Sequence, residues 1–139
     1  MNRTYQLLDH TADLRVRITG ISRAALFQNA GLALADLICD PDTLTPDETM
    51  TVGIEGDDPA DLMVNYLREL LYLWTGKEKL LKMVSILDVS DTALSARMEV
   101  SSYDARGHAI LNEIKAVTYH QIAVEPVVNG WQATVVFDI

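Results

Sequence analysis

Leu14-Arg15-Val16-Arg17-Ile18-Thr19, followed by Gly20-Ile21-Ser22 and an apolar run, is the stretch that decides the fold. Apolar side chains at 14, 16 and 18 alternate with polar ones at 15, 17 and 19, the two-residue period of a half-buried strand. Ser22 then supplies an N-cap for a helix running to about Ile38, with Phe27, Ala30, Leu34 and Leu37 on its core face. Asp40-Pro41-Asp42 breaks that helix, and residues 40–48 read as a loop holding two prolines. Val52 and Ile54 indicate a short strand before Gly56-Asp57. Asp58 as N-cap, with Pro59 at the first helical position, opens a second helix. Its wide apolar face carries Leu62, Met63, Tyr66, Leu67, Leu70, Leu71 and Trp74, and it ends near Gly76. Strands are expected near 80–89, 93–103, 114–125 and 131–137. Runs of strands with only two long helices point to an α+β domain and against a repeating βαβ array.

Composition sets the outer bounds. A chain of 139 residues forms one domain and buries about two-thirds of its unfolded surface around one core. Hydrophobic residues make up 49% and charged ones 22%, the balance of an ordinary globular protein. No apolar run approaches the roughly 20 residues that span a bilayer. The start, Met-Asn-Arg-Thr-Tyr-Gln, lacks the basic-then-apolar layout of a signal peptide. Cys39 is the sole cysteine, so no internal disulfide forms, and a reducing, cytoplasmic setting is expected. At the end of an apolar helical run, Cys39 reads as a small buried filler.

Charge narrows the partners. Twenty acidic residues against 11 basic ones give a net charge of -9 and an isoelectric point near 4.6. Such a field repels phosphate backbones and forgoes the counterion release that dominates nucleic-acid affinity. No Lys/Arg stripe interleaved with aromatics offsets it, so any role in RNA chemistry is expected to pass through a basic protein partner. Nor does the sequence contain a glycine-rich phosphate loop, Cys/His zinc spacing or a serine nucleophile elbow. These absences count against an ATPase, a zinc enzyme and a serine hydrolase.

The acidic residues worth singling out lie near the two ends of the sequence. Asp9-His10-Thr11-Ala12-Asp13 precedes the first alternating strand, and Val135-Val136-Phe137-Asp138-Ile139 closes an apolar one. If these two strands are neighbours, Asp13, Asp138 and the α-carboxylate of Ile139 can converge. Three anionic oxygen groups without a thiolate are a donor set for a hard cation such as calcium or magnesium. Without a cation the like charges repel, and one must take up a proton. The alternative is that these aspartates are solvated or cap turns. His10, beside two carboxylates, is either an orienting hydrogen-bond donor of raised pKa or the close of a turn. His120 either faces the same site or is a satisfied sheet histidine, and Lys115 on a solvated strand face is the bland reading of that charge.

Several blocks in order resemble one family. Tyr5-x-x-Leu8-Asp9-His10-Thr11-Ala12-Asp13, the Gly20 turn and Ala25-Leu26-Phe27-x-Asn29-Ala30 are similar to the opening of the archeases. Leu67-x-x-Leu70-Leu71-Tyr72-Leu73 resembles their central helix, and Glu113-Ile114-Lys115-Ala116-Val117-Thr118-Tyr119-His120 their late strand. Gly130-Trp131-Gln132-Ala133 through Phe137-Asp138-Ile139 resembles their end, so the likeness runs from residue 5 to residue 139. It implies a single α+β domain over 1–139, with mixed, mostly antiparallel sheets packed with two main helices. It also implies metal binding, most simply Ca2+, at Asp13, Asp138 and Ile139, with Asp9, His10, His120 and Lys115 as supporting residues. The function implied is that of a non-catalytic cofactor of the tRNA ligase that joins a 2′,3′-cyclic phosphate or 3′-phosphate to a 5′-hydroxyl. Such a cofactor speeds ligase guanylylation and allows multiple turnover; a second implied role is chaperone of a tRNA methyltransferase. The competing reading is a small metal-dependent hydrolase that activates water with Asp9, His10 and Asp13. It is short of donors once Asp13, Asp138 and Ile139 are committed to a cation, because a hydrolase also needs an open coordination position and a base. A plain structural subunit without metal is the third.

Overall fold

The structure, a computed structural model, describes residues 4–8 and 13–139. Asp9 and His10, both singled out from the sequence, lie outside the described residues. The strands are β1 (Tyr5–Leu7), β2 (Asp13–Gly20), β3 (Glu48–Glu55), β4 (Lys79–Val89), β5 (Ala93–Ser102), β6 (Ala116–Val127) and β7 (Gly130–Asp138). The helices are α1 (Arg23–Ile38) and α2 (Pro59–Thr75), with a 3-10 turn at Pro41–Thr43 inside the expected loop. The class is α+β, as the strand runs and paired caps require.

Two antiparallel sheets result, one ordered β1-β2-β7-β6 and the other β3-β5-β4; no described pair is parallel. The two-residue alternation over Leu14–Thr19 is realised in β2, where Leu14, Val16 and Ile18 are buried and Arg17 and Thr19 exposed. β3 extends beyond Val52 and Ile54 because it pairs with β5 all the way from Glu48 to Glu55, with Met50, Val52 and Ile54 turned inward and Thr49, Thr51 and Gly53 facing solvent. β1 is too short to show a period, and among the described residues it pairs only with β2.

Capping sets both helices. The Ser22 side chain accepts a hydrogen bond from the Ala25 N–H at 3.1 Å, and Asp58 accepts from the Asp61 N–H at 2.8 Å. α1 contacts β2 and β7 of one sheet and β4 of the other, which is why its apolar residues spread beyond one stripe. α2 packs on β6, β4 and β3. One core therefore joins both sheets, and Cys39 is buried in it. Gly76 ends α2 without the left-handed conformation typical of a terminating glycine, its φ being -102°. A Cβ there would sit 2.3 Å from the Tyr72 ring, so space explains the glycine. The left-handed residue after α2 is Glu78, two positions on, with φ 52°.

Candidate metal centre

β7 is a central strand, flanked by β2 on one side and β6 on the other. Its last residue, Asp138, stands in register with Asp13 at the start of β2 and with Ala116 at the start of β6. The two carboxylates thus share one end of one sheet. Directly opposed residues project to the same face with Cβ atoms roughly 4.5–5.5 Å apart, a spacing at which like charges are destabilising. Leu14 and Phe137, one step inward on each strand, turn to the core, so both aspartates turn away from it. Lys115 joins the same end through its backbone, since its N–H donates to the Asp138 carbonyl at 2.8 Å.

Ile139, the next residue, is exposed. Among the described residues no group of three or more His, Cys, Asp or Glu side chains is assembled. The centre as described is two side-chain carboxylates, and Ile139 follows Asp138 directly in the chain. That oxygen-only set suits a hard divalent cation.

His120 is exposed and lies past Thr118, where the β6–β7 register shifts. Its N–H donates to Thr118 Oγ1 at 3.2 Å. Thr118 already faces Val136, roughly 6.6 Å along the strand from Asp138 at ordinary strand rise. The structure does not bring His120 to the acidic end. The same bulge is fastened to α2 by Tyr119, whose hydroxyl donates to Asp61 Oδ1 at 2.7 Å, and by Arg68. The Arg68 guanidinium lies 4.8 Å from the Tyr119 ring centre, and its Nε donates to the Val117 carbonyl at 3.1 Å. The bond from Tyr119 holds the Asp61 carboxyl below its usual range and pushes the Tyr119 phenol up.

Arg15, in sequence one of the polar residues of an alternating strand, belongs to this end of the sheet as well. Two positions from Asp13, it shares the acidic face and sits opposite Val136. Its Nε is buried and has no hydrogen-bond partner among the described residues. No described ion pair joins it to Asp13 or Asp138. The alternation that identified the strand carried this cation in plain view; what was missing was the pairing partner across from it.

The family model of the Archease protein family matches residues 5–139. The chain belongs to the archease family. Protein archease of Methanosarcina barkeri is 32% identical over 141 residues, covering 99% of this chain and 97% of that protein. The fold matches the solution structure of Methanobacterium thermoautotrophicum protein 1598 with a TM-score of 0.82 at 24% identity, covering 99% of this chain and 100% of the other. It also matches the crystal structure of an archease, described as a possible chaperone, from Thermotoga maritima. There the TM-score is 0.64 at 20% identity, covering 96% of each chain. The two structural likenesses carry the archease fold: two helices packed with two antiparallel sheets in one domain. No described helix of this archease-family chain is long and apolar enough to cross a membrane.

Proposed function

We propose that this chain is a metal-binding accessory protein of tRNA processing, acting in the cytoplasm on the ligase that joins 3′-phosphate and 5′-hydroxyl RNA ends. It promotes guanylylation of that ligase and so permits repeated turnover. The observation that carries the reading is the in-register opposition of Asp13 and Asp138 in a chain of the archease family. Asp13, Asp138 and the Ile139 α-carboxylate would hold the cation; the all-oxygen set suits a hard divalent ion, and Ca2+ is the one the family resemblance implies. Lys115 is fixed beside it, and Asp9 and His10 precede it in the sequence. Bound there, the cation supplies positive charge at a fixed surface point. Arg15 tempers the same face from within the sheet.

The net charge of -9 supports a basic protein partner over direct contact with RNA. The chain's own part is that of a non-catalytic cofactor: Asp13 and Asp138 are committed to the cation, and His120 stands apart from them. The metal-dependent hydrolase built on Asp9, His10 and Asp13 predicts turnover by the protein alone. A chaperone role toward a tRNA methyltransferase is the second reading, favoured by the description of the Thermotoga maritima relative as a possible chaperone.

The test is ligase turnover at substoichiometric enzyme, with untagged protein, an N-terminal tag and a C-terminal extension. An extension past Ile139 replaces the ligand carboxylate by an amide and displaces the new one by roughly 3.3 Å per added residue. The C-terminal extension is expected to abolish activation while the N-terminal tag is tolerated. Full activation by the C-terminally extended protein would remove Ile139 from the site. Product formed from RNA ends by the isolated protein, and lost in His10→Ala, would favour the hydrolase.

A further inference from the structure

The geometry points to an arginine-binding groove beside the acidic centre, where a partner protein would seat a guanidinium side chain. The inference deepens the accessory reading, by naming what the partner presents, and rests on it for the partner's identity.

The groove has a volume of about 590 Å³ and is lined by residues of the α2 C-terminus, the end of β5 and the segment leading into β6. Trp74 and Tyr103 supply aromatic surface, packed edge to face with ring centres 5.1 Å apart. Glu78 and Glu113 supply two exposed carboxylates, and neither has an ion-pair partner among the described residues. The last turn of α2 carries no basic residue of its own; the nearest cation there is Lys77, past the helix end, whose Nζ lies 5.9 Å from the Tyr72 ring centre. Lys115 also lines the groove, and its backbone N–H is bonded to the Asp138 carbonyl, so the groove adjoins the acidic centre; an incoming guanidinium shares the site with this one lysine and the two glutamates.

Glu78 is held firmly in this place. Its N–H donates to the Trp74 carbonyl at 3.0 Å, and its carbonyl accepts from the Tyr103 N–H at 3.0 Å. Its φ of 52° is a conformation in which glycine would be relaxed and a glutamate is not. The chain nevertheless has a glutamate at that point, its backbone bonded to those of two aromatic residues. Aromatic faces and free carboxylates together match arginine better than lysine, because the planar guanidinium stacks and forks at once. A net charge of -9 draws such a partner in.

The experiment titrates N-acetyl-arginine amide into the full chain after divalent ions are stripped by chelator, following the Trp74 indole N–H resonance. N-acetyl-citrulline amide, the same shape without charge, is the control. A saturable shift with the arginine probe and none with citrulline is expected. Glu78→Gln/Glu113→Gln should weaken it roughly tenfold or more, the worth of a charge-assisted contact. Glu78→Gly separates folding from binding: its thermal midpoint should hold or rise while the arginine response weakens. Asp13→Asn/Asp138→Asn should keep the response, so failure of the metal reading would leave this result standing. An equal citrulline shift, an unmoved Trp74, or full binding by the double glutamine variant would overturn the groove. Loss of the response in the Asp13/Asp138 variant would do so too, by assigning the guanidinium to the acidic centre.

Discussion

The two ends of the β2–β7 pair are built on opposite terms. At the Gly20/Trp131 end the chain is locked by close approach: a Cβ on Gly20 would lie 2.4 Å from the Leu26 backbone nitrogen, and one on Gly130 2.3 Å from the Gly20 carbonyl oxygen. Asn129 turns the hairpin with φ 66°, and Arg23 lies 4.8 Å from the Trp131 ring centre while pairing with Asp91 at 2.7 Å. At the other end Asp13 faces Asp138 across the same two strands, a pairing that works against the sheet. One end stabilises the ladder and the other draws on it. A sheet that needed only to fold would have no use for opposed aspartates at its rim.

The largest expected effect lies at the locked end. Gly20→Ala drives a methyl into the α1 backbone and should cost about 1–3 kcal/mol by overpacking, read by urea denaturation. Calcium affinity of the folded variant should match wild type. An equal loss of affinity would mean that the two ends are not separable, and the comparison would fail.

A smaller effect is expected in the core between the ends. The Tyr66 hydroxyl is fully buried, has no hydrogen-bond partner among the described residues, and would lie 2.4 Å from a Cβ on Gly31. Tyr66→Phe removes an unsatisfied polar atom and should be neutral or stabilising, by up to about 1 kcal/mol. Gly31→Ala should destabilise wild type and be better tolerated in the Tyr66→Phe background, which a double-mutant cycle measures. Additive losses would show that the hydroxyl is not what crowds Gly31.

The pH dependence sharpens the contrast between a compensated carboxylate and the opposed pair. Asp61 accepts from Tyr119 and from the Asp57 N–H, and its folded pKa lies below the usual 3.8. Its contribution is therefore present above that unfolded value and is lost as pH falls through the lower folded one. The Tyr119 phenol is raised above 10.0, so its share is present below that value and lost as pH rises through the folded pKa. Asp61→Asn should flatten the acid limb of the stability profile, measured by thermal unfolding from pH 5 downward. A profile identical to wild type would remove the Tyr119 bond as a source of stability.

The sequence made some of this readable and hid the rest for identifiable reasons. Ser22 and Asp58-Pro59 marked both helix starts because capping is local chemistry, and the β2 alternation marked its buried face. The opposition of Asp13 and Asp138 was readable only as a condition, since pairing between strands 125 positions apart is a non-local event. The division into two sheets was hidden for the same reason. β1, with three residues, had no period to detect. The Trp74/Tyr103 groove draws on segments far apart in the chain, and Trp74 read as part of an apolar helix face. Nothing in the sequence around Glu78 signals its left-handed backbone, because a glutamate is not a residue that favours positive φ.

The most direct test of the central claim is the stability of chelator-stripped protein with and without added calcium, for wild type, Asp13→Asn and Asp138→Asn. If the opposed carboxylates are a cation site, wild type gains about 2.7 kcal/mol at 100 times the dissociation constant, and neither variant gains at the same calcium concentration. Without calcium, each variant should be as stable as wild type or more so by about 0.2–1 kcal/mol, since removing one charge relieves the pair. An equal calcium gain in all three proteins, or a metal-free loss in both variants, would contradict the account.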